Sequence, residues 1–191
     1  QDQYFEMMMS QAQRMKSLVE DLLTLANLEA NSLPAANTVV KVETLMALLK
    51  NDAEALSQGK HSFSFDIHSK QNLLGDEREI LSAFSNLVSN AVRYTPSGGQ
   101  IDIAWQDSED GGIELVVKDT GAGISEEHLP RLTERFYRVD RSRSRDTGGT
   151  GLGLAIVKHV ANRHQGDLKI TSQVGVGSVF CLHFPKQRVA P

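Results

Sequence analysis

The N-terminal part of the chain contains neither glycine nor proline from residue 4 to about residue 29. Within it, apolar side chains recur at alternating steps of three and four residues, which predicts a long helix with one apolar seam. The seam consists of Tyr4, Met8, Met15, Leu18, Leu22 and Leu25. Residues 31–34, which end in a proline, then separate this helix from the rest of the chain.

Two interpretations of this helix remain open. Gln11 interrupts the seam, and Met7 and Met9 broaden the apolar surface, so the pattern favours one helix of a small bundle over a strict two-stranded coil. The alternative is an ordinary amphipathic helix that folds against its own domain. The length of the helix and the clean break after it favour the bundle, and the sequence therefore predicts two parts, residues 1–33 and 34–188.

Beyond the break, strand and helix patterns alternate. Strand patterns cover residues 38–40, 62–67, 100–106, 113–118, 167–172 and 178–184. Helix patterns cover residues 42–56, 77–94 and 152–163, the second of them capped by Gly75 and Asp76. We expect a β-α-β unit over residues 38–67, a hairpin over residues 100–118, and overall an α/β fold with about five strands against three helices.

Composition excludes several classes of protein. With 191 residues, 40% of them hydrophobic and 23% charged, the chain is neither a disordered tail nor a disulfide scaffold. Its net charge of −4 does not favour a nucleic-acid partner. The single Cys181 fits a reducing, cytoplasmic setting. The chain starts inside a helical pattern and holds no apolar run of membrane-spanning length, so we expect any membrane anchor to lie upstream.

Three glycine-rich clusters, at residues 119–124, 148–154 and 175–178, are candidates for binding loops. Each could also be a simple turn. Backbone N–H groups of such loops at a helix start bind anions well, and the second cluster lies at a predicted helix start. No cluster carries the lysine of a P-loop or a full dinucleotide-binding glycine pattern, so neither of those protein classes is indicated.

The order of four segments is the most specific feature of the sequence. A helix with Asn86, Asn90, Arg93 and Tyr94 is followed by residues 119–123, by residues 136–138 and by residues 149–153. This order resembles the ATP-binding core of sensor histidine kinases, with its N, G1, F and G2 boxes. Residues 1–30 resemble the second helix of that family's dimerisation hairpin, and residues 131–140 are most similar to phosphate-regulon sensor kinases.

The resemblance implies a fold, ligands and residue roles. The fold is the two-layer α/β sandwich of the Bergerat type, shared by histidine kinases, gyrase, Hsp90 and MutL, and the ligands are ATP and Mg²⁺. Asp119 would accept a hydrogen bond from the adenine amino group, Asn90 would be the Mg²⁺ ligand, and Asn86 and Arg138 would act in catalysis. The implied nucleotide-binding residues are Asn86, Asn90, Arg93, Tyr94, Asp119, Gly121, Gly123, Ile124, Phe136, Arg138, Gly149, Thr150, Gly151, Leu152 and Gly153.

Six arginines occur in the segment between residues 131 and 145, namely Arg131, Arg135, Arg138, Arg141, Arg143 and Arg145. Acidic residues are interleaved with them and stacking aromatics are not regularly spaced, so a triphosphate clamp is favoured over a nucleic-acid surface. Arg138 is the best candidate for the clamp. The other arginines could be solvated surface residues or partner contacts. Arg93 could neutralise phosphate charge or be an exposed surface residue.

None of the six histidines lies in the His-Glu/Asp-Leu-Arg setting of the family's phosphoacceptor. The resemblance therefore implies transfer to a histidine on an upstream helix, then to the receiver domain of a response regulator, within a homodimer formed through the N-terminal helix. Two alternatives compete with this phosphotransfer hypothesis. The first is a self-hydrolysing ATPase clamp, which asparagine at position 86 disfavours because it is not a base. The second is a non-catalytic nucleotide-sensing or dimerisation module.

Overall fold

The computed structural model describes residues 2–31, 35–139 and 149–191, with side chains from residue 4 onward. Its helices are α1 (Asp2–Ala30), α2 (Val42–Ser57), α3 (Glu77–Tyr94) and α4 (Gly153–Arg163). Its strands are β1 (Thr38–Val40), β2 (Ser62–Ile67), β3 (Asn72–Gly75), β4 (Gln100–Asp107), β5 (Ile113–Asp119), β6 (Asp167–Gln173), β7 (Gly177–Phe184) and β8 (Val189–Ala190). The predicted α/β class is confirmed.

A mixed sheet of five strands, in the order β2-β4-β5-β7-β6, forms one layer. β2 pairs with β4 in parallel, and the other neighbours are antiparallel. The predicted hairpin of β4 and β5 is confirmed, with Ile101 opposite Asp119. The same register places Asp119 opposite Ser178 on β7, so the end of β5 is held between two strands.

The core lies between one face of this sheet and helices α2, α3 and α4. On β4 and β5 the alternate side chains are fully buried, as expected for strands with one face against helices. These side chains are Ile101, Ile103, Trp105, Ile113, Leu115 and Val117. Phe84 of α3 contacts the rings of Trp105 and Phe184 at centroid distances of 6.0 and 6.4 Å. This packing fixes α3 over the sheet, and with it one wall of the candidate site.

The expected β-α-β unit over residues 38–67 is wrong. β1 does not share a sheet with β2, because it pairs antiparallel with β3 in a second sheet of order β1-β3-β8. Val40 and its partner Leu73 are both buried, so the apolar pattern of β1 is satisfied in the second sheet. An alternating pattern indicates a strand but not its partner, and β3 and β8 were not predicted.

Helix α1 contacts the rest of the chain mainly through its C-terminal part. Leu25 and Leu28 are buried, whereas Tyr4, Met8 and Met15 are each at least two-thirds exposed. The helix therefore packs against its own domain at one end and leaves its apolar seam uncovered at the other. The bundle interpretation stays a prediction for the exposed part.

Among the described residues, no helix combines the length and the apolar character that a bilayer crossing needs.

A buried histidine connects the end of α4 to the start of α3. The His164 Nδ1 atom lies 2.8 Å from the Val160 carbonyl oxygen, and Nε2 accepts a hydrogen bond from the Asp76 backbone N–H at 3.2 Å. These contacts require a neutral ring that carries its proton on Nδ1. Burial lowers the pKa of His164, and the positive charges of Arg188 and Arg163 lower it further. The Val160 carbonyl and Glu79 oppose this shift.

We expect His164 to make folding stability depend on pH. Because its pKa is lowered in the folded state, the unfolded chain takes up the proton first as the pH falls. Stability is therefore complete above the ordinary value of 6.5 and declines below it, by at most about 1.4 kcal/mol per pH unit. Urea unfolding at stepped pH should show a shallower decline for His164→Asn than for the wild type. His68→Asn, at an exposed position, provides the control. Equal slopes in all three proteins would contradict the assignment.

Candidate nucleotide-binding site

A cleft of about 490 Å³ lies between α3, the loop after β5 and the start of α4. Twenty-one residues line it, and they come from segments far apart in the chain. From α3 and its end come Asn86, Ser89, Asn90, Arg93, Tyr94, Thr95 and Pro96. The remainder are Asp119, Ala122, Gly123, Ile124, Leu132, Tyr137, Arg138, Val139, Gly149, Thr150, Gly151, Gly153, Leu154 and Phe180.

Helix α3 places its polar side chains on the cleft because its opposite face is apolar. The Asp76 carboxylate caps its start by accepting hydrogen bonds from the N–H groups of Arg78 and Glu79. Asn86, Asn90 and Arg93 then follow at helical spacing and all lie half-buried on the cleft wall. The Asn86 Nδ2 atom donates to the Ser82 carbonyl oxygen at 2.9 Å. This bond fixes the amide so that its oxygen is directed toward Gly153, at the start of α4.

A buried carboxylate marks one end of the cleft. Asp119 is 5% exposed, and its Oδ1 atom accepts a hydrogen bond from the Gly121 N–H at 2.8 Å. Burial raises the pKa of Asp119, while the N–H groups of Gly121 and Ser178 oppose the shift. The arrangement leaves a carboxylate facing the cleft from the end of a rigid strand. Such a group recognises a ligand N–H donor.

The turn between β6 and β7 supports the loop that follows Asp119. Gly175 donates its N–H to the Ala122 carbonyl oxygen at 2.8 Å, and the Ile124 N–H donates to the Ser172 Oγ atom at 2.8 Å. Gly123 has φ +72°, and a Cβ there would collide with the Gln173 carbonyl oxygen. Two backbones therefore touch at this point, which requires glycine. This packing defines the floor of the cleft beside Asp119.

Basic groups and the glycine-rich loop 149–153 form the other end of the cleft. A Cβ on Gly149 would lie 3.7 Å from both an Arg93 Nη atom and an Arg138 Nη atom, so this loop lies close to both guanidinium groups. Helix α4 begins at Gly153 on the cleft wall. Its first N–H groups and its dipole favour an anion there. This end of the cleft is therefore suited to phosphate groups.

Tyr137 joins this wall with support from outside the cleft. Its hydroxyl lies 2.7 Å from the Nδ1 atom of His128, and the Arg131 guanidinium lies 4.2 Å above its ring. Arg131 also pairs with Glu134 at 3.1 Å. Arg131 is therefore engaged on the outer side of the segment, whereas Arg138 lines the cleft.

Three of the fifteen predicted binding residues do not line the cleft. Gly121 fits closely against the Tyr94 carbonyl group, and Leu152 is buried beneath the loop. Phe136 is 57% exposed and donates its N–H to the Gly151 carbonyl oxygen at 2.8 Å, so it supports the loop from outside. The other twelve come together around the one cleft. Arg141, Arg143 and Arg145 lie outside the described residues.

Nine lining residues were not predicted: Ser89, Thr95, Pro96, Ala122, Leu132, Tyr137, Val139, Leu154 and Phe180. Ser89 shares the helical face of Asn86 and Arg93, so the spacing of α3 could have identified it. Phe180 lies on β7, two residues after the third glycine-rich cluster, and the sheet order brings it to the cleft. Contacts of this kind leave no local signal in the sequence.

The donor set of the cleft fits Mg²⁺ held together with phosphates. No group of three His, Cys, Asp or Glu side chains among the described residues could hold a metal ion. The cleft does contain amide oxygens, at Asn86 and Asn90. Mg²⁺ is commonly bound by one or two protein oxygens, substrate phosphates and water. The residues present are therefore compatible with a metal that enters with the nucleotide.

Comparison with known families matches residues 75–188 to the histidine kinase-, DNA gyrase B- and HSP90-like ATPases. The chain belongs to this ATPase family. The match begins at the end of β3 and covers the whole cleft. The fold and the cleft are therefore those of an ATPase domain of this family.

The chain is also similar to sensor histidine kinases with assigned names. The phosphate regulon sensor protein PhoR of Pseudomonas aeruginosa is 54% identical over 97% of the chain, which covers 42% of that protein. The sensor-like histidine kinase SenX3 of Mycolicibacterium smegmatis is 39% identical over 96% of the chain and 48% of its own length. The chain thus spans less than half of these relatives. The matched domain is the catalytic part of such kinases.

Solved structures show the same fold. Full-length ShkA in complex with AMPPNP superimposes with a TM-score of 0.80 and 25% identity, over 97% of this chain and 38% of that one. The histidine kinase AdeS of Acinetobacter baumannii gives a TM-score of 0.77 at 24% identity, over 98% of this chain and 86% of that one. Both matches include helix α1 as well as the sandwich, because they extend over nearly the whole chain.

Proposed function

We propose that this chain binds Mg²⁺·ATP in the cleft and donates the γ-phosphoryl group to a histidine on an upstream dimerisation helix. The observation that carries the proposal is the polarity of the cleft, which has a buried carboxylate, Asp119, at one end and two arginines with a helix start at the other. This arrangement matches a nucleotide with a donor-bearing base and an anionic tail. The AMPPNP bound by ShkA, a structural relative, supports ATP as the ligand.

Asp119 gives the base end its selectivity. The adenine amino group is a donor and can bind the carboxylate, whereas guanine presents a carbonyl oxygen at the same position. An acceptor facing an acceptor, both desolvated, disfavours GTP. The backbone next to the carboxylate is fixed, because a Cβ on Gly121 would collide with the Tyr94 carbonyl oxygen and one on Gly123 with the Gln173 carbonyl oxygen.

At the phosphate end, the chain's own residues bind and orient the triphosphate. Arg93 and Arg138 neutralise charge, and N–H groups of the loop 149–153 and of the start of α4 donate to phosphate oxygens. Asn90 would hold Mg²⁺ through its amide oxygen, and Asn86 would orient a phosphate or its water. When bound, the metal would neutralise negative charge on the phosphate oxygens.

Transfer requires the acceptor imidazole nitrogen in line with the γ-phosphorus. The N–P bond forms as the bond to the bridging oxygen breaks, which releases ADP. Positioning and charge neutralisation provide the catalysis, so Asn86 and Arg138 are the proposed catalytic residues. The phosphoryl group then passes to an aspartate in the receiver domain of a response regulator.

The relatives support a proposal for the setting of the whole protein. We place residues 1–33 in a dimerisation hairpin and residues 34–188 in the ATP-binding domain. The exposed seam of α1 would pair in a homodimer, with the ATP-binding domain in the cytoplasm and the membrane anchor upstream. The names of the relatives support a role in phosphate signalling.

Asn90→Ala tests the metal assignment. We expect it to weaken ATP binding by about ten-fold when Mg²⁺ is present and to have little effect in EDTA, because the lost oxygen acts on the ion. Calorimetric titration in both buffers measures the difference. Ser89→Ala, on the same wall, is the matched control. An equal loss with and without Mg²⁺ would show that Asn90 supports the cleft without binding metal.

A further inference from the structure

Helix α1 places an acidic side chain against the glycine-rich loop of the cleft. Asp21 shares the inward face of α1 with Leu18, Leu25 and Leu28, and like them it is at least half-buried. Its Oδ2 atom accepts a hydrogen bond from the Thr150 hydroxyl at 2.6 Å. The two residues are 129 positions apart, so this contact depends entirely on how α1 lies on the domain.

The Thr150 hydroxyl connects Asp21 to the backbone of the loop. While it donates to Asp21, it accepts a hydrogen bond from the Leu152 N–H at 3.2 Å. Leu152 is fully buried and immediately precedes α4. The Asp21 carboxylate therefore fixes the loop 149–153 through two consecutive hydrogen bonds, at the cleft end that is suited to phosphate.

Charge at this position matters as much as geometry. Burial raises the pKa of Asp21, while the Thr150 hydrogen bond and the nearby Arg93 guanidinium lower it. The Arg93 guanidinium also lies close to Gly149, the residue before Thr150 in the loop. A carboxylate beside Arg93 attracts the same guanidinium that nucleotide phosphates need, and it repels the phosphates themselves.

A second contact keeps this end of α1 in place. Glu29, two turns after Asp21, pairs with Arg135, and its carboxylate lies 3.4 Å from the Nε2 atom of His159 on α4. Arg135 belongs to the segment that leads into Arg138. The end of α1 therefore contacts two sides of the phosphate end, through Asp21 and through Glu29.

We propose that Asp21 is a positioning residue that holds the glycine-rich loop through Thr150 and competes with nucleotide phosphates for this loop and for Arg93. The inference rests on the proposed function. Binding of phosphates and the contact of α1 with the loop then exclude each other in part, so ATP binding favours release of α1 from the loop. Linkage makes the effect reciprocal, and a displaced helix raises the affinity for ATP.

The test is a calorimetric comparison of Mg²⁺·ATP and adenosine on wild type, Asp21→Asn and Glu20→Gln. Asparagine keeps the size and the acceptor oxygen but removes the charge. We expect Asp21→Asn to bind ATP about five-fold more tightly, with adenosine affinity unchanged, because only ATP carries phosphates. Glu20→Gln is the matched control, since it removes one negative charge from an exposed neighbour that, among the described residues, pairs with Lys16 on the helix surface.

Several outcomes would overturn the inference. Unchanged or weaker ATP binding by Asp21→Asn contradicts the competition, provided that thermal unfolding shows the variant folded. Asp21→Ala offers a second variant without the charge, and it should also bind ATP more tightly. An equal gain for adenosine would show that the effect is not exerted on phosphates. If the wild type binds neither ligand, the proposed function itself fails. If the wild type binds ATP and the variants bind it with the same affinity, only the present inference fails.

Discussion

Replacing Asp119 with alanine is expected to weaken ATP binding by about ten- to hundred-fold. The change removes a buried charged acceptor that faces the base, a loss of about 1.5 to 3 kcal/mol. Calorimetry with Mg²⁺·ATP measures it directly. The discrimination between ATP and GTP should shrink in the variant, since the acceptor that rejects guanine is also gone.

A matched control separates this effect from general loss of acidic charge. Asp102 lies on β4, where its carboxylate accepts a hydrogen bond from the Ser64 hydroxyl at 2.8 Å, and it does not line the cleft. Asp102→Ala should therefore keep wild-type affinity. If Asp119→Ala binds ATP as the wild type does, the adenine assignment is wrong.

Incubation with γ-labelled ATP is expected to leave this chain without label on any histidine. No histidine is among the residues that line the cleft. His164 is buried, His128 lies against the Tyr137 hydroxyl, and His183 lies between two carboxylates at about 3 Å. Transfer needs an acceptor held in line with the γ-phosphate, and such orientation contributes roughly 7 to 11 kcal/mol. Without it, the reaction should be undetectable.

Addition of a longer partner chain that carries the acceptor histidine should produce label in the same assay. The partner carries the upstream helix with its histidine and the Asp119→Ala change, so that it accepts but does not donate. Label should appear on this partner when the two chains form mixed dimers. Acid-labile phosphate on this chain's own histidines would disprove the assignment of the acceptor to the upstream helix.

Local patterns were sufficient to predict most elements of the fold. The strand Ser62–Ile67 agrees with its prediction at both ends, and α3 starts after Asp76 as the cap signal indicates. Pairing between distant segments was not accessible in this way. β1 joins β3 and β8 because of shared burial with Leu73, and an alternating pattern of three residues contains no information about that partner.

In the candidate site, too, local patterns were predicted and contacts between distant segments were not. Residues on α3 were predicted together because helical spacing forces them onto one face. Phe136 was chosen from its motif, yet the backbone conformation at this residue, with φ +61°, directs the neighbours Tyr137 and Arg138 to the cleft instead. The contact between Asp21 and Thr150 spans two parts that sequence reasoning treated separately. No spacing rule connects them.

The packing of the β6–β7 turn against the loop after Asp119 limits how this protein can be engineered. Val174 and Val176 are well exposed at that turn, which makes it look like a safe place to insert a tag or a reporter domain. However, Gly175 and the backbone of Gln173 directly hold the loop beneath the base. A fusion at this turn would change base recognition without touching any residue that contacts the nucleotide. The turn between β4 and β5 lies at the end of β5 opposite to Asp119 and includes no cleft residue, so it is the better attachment point.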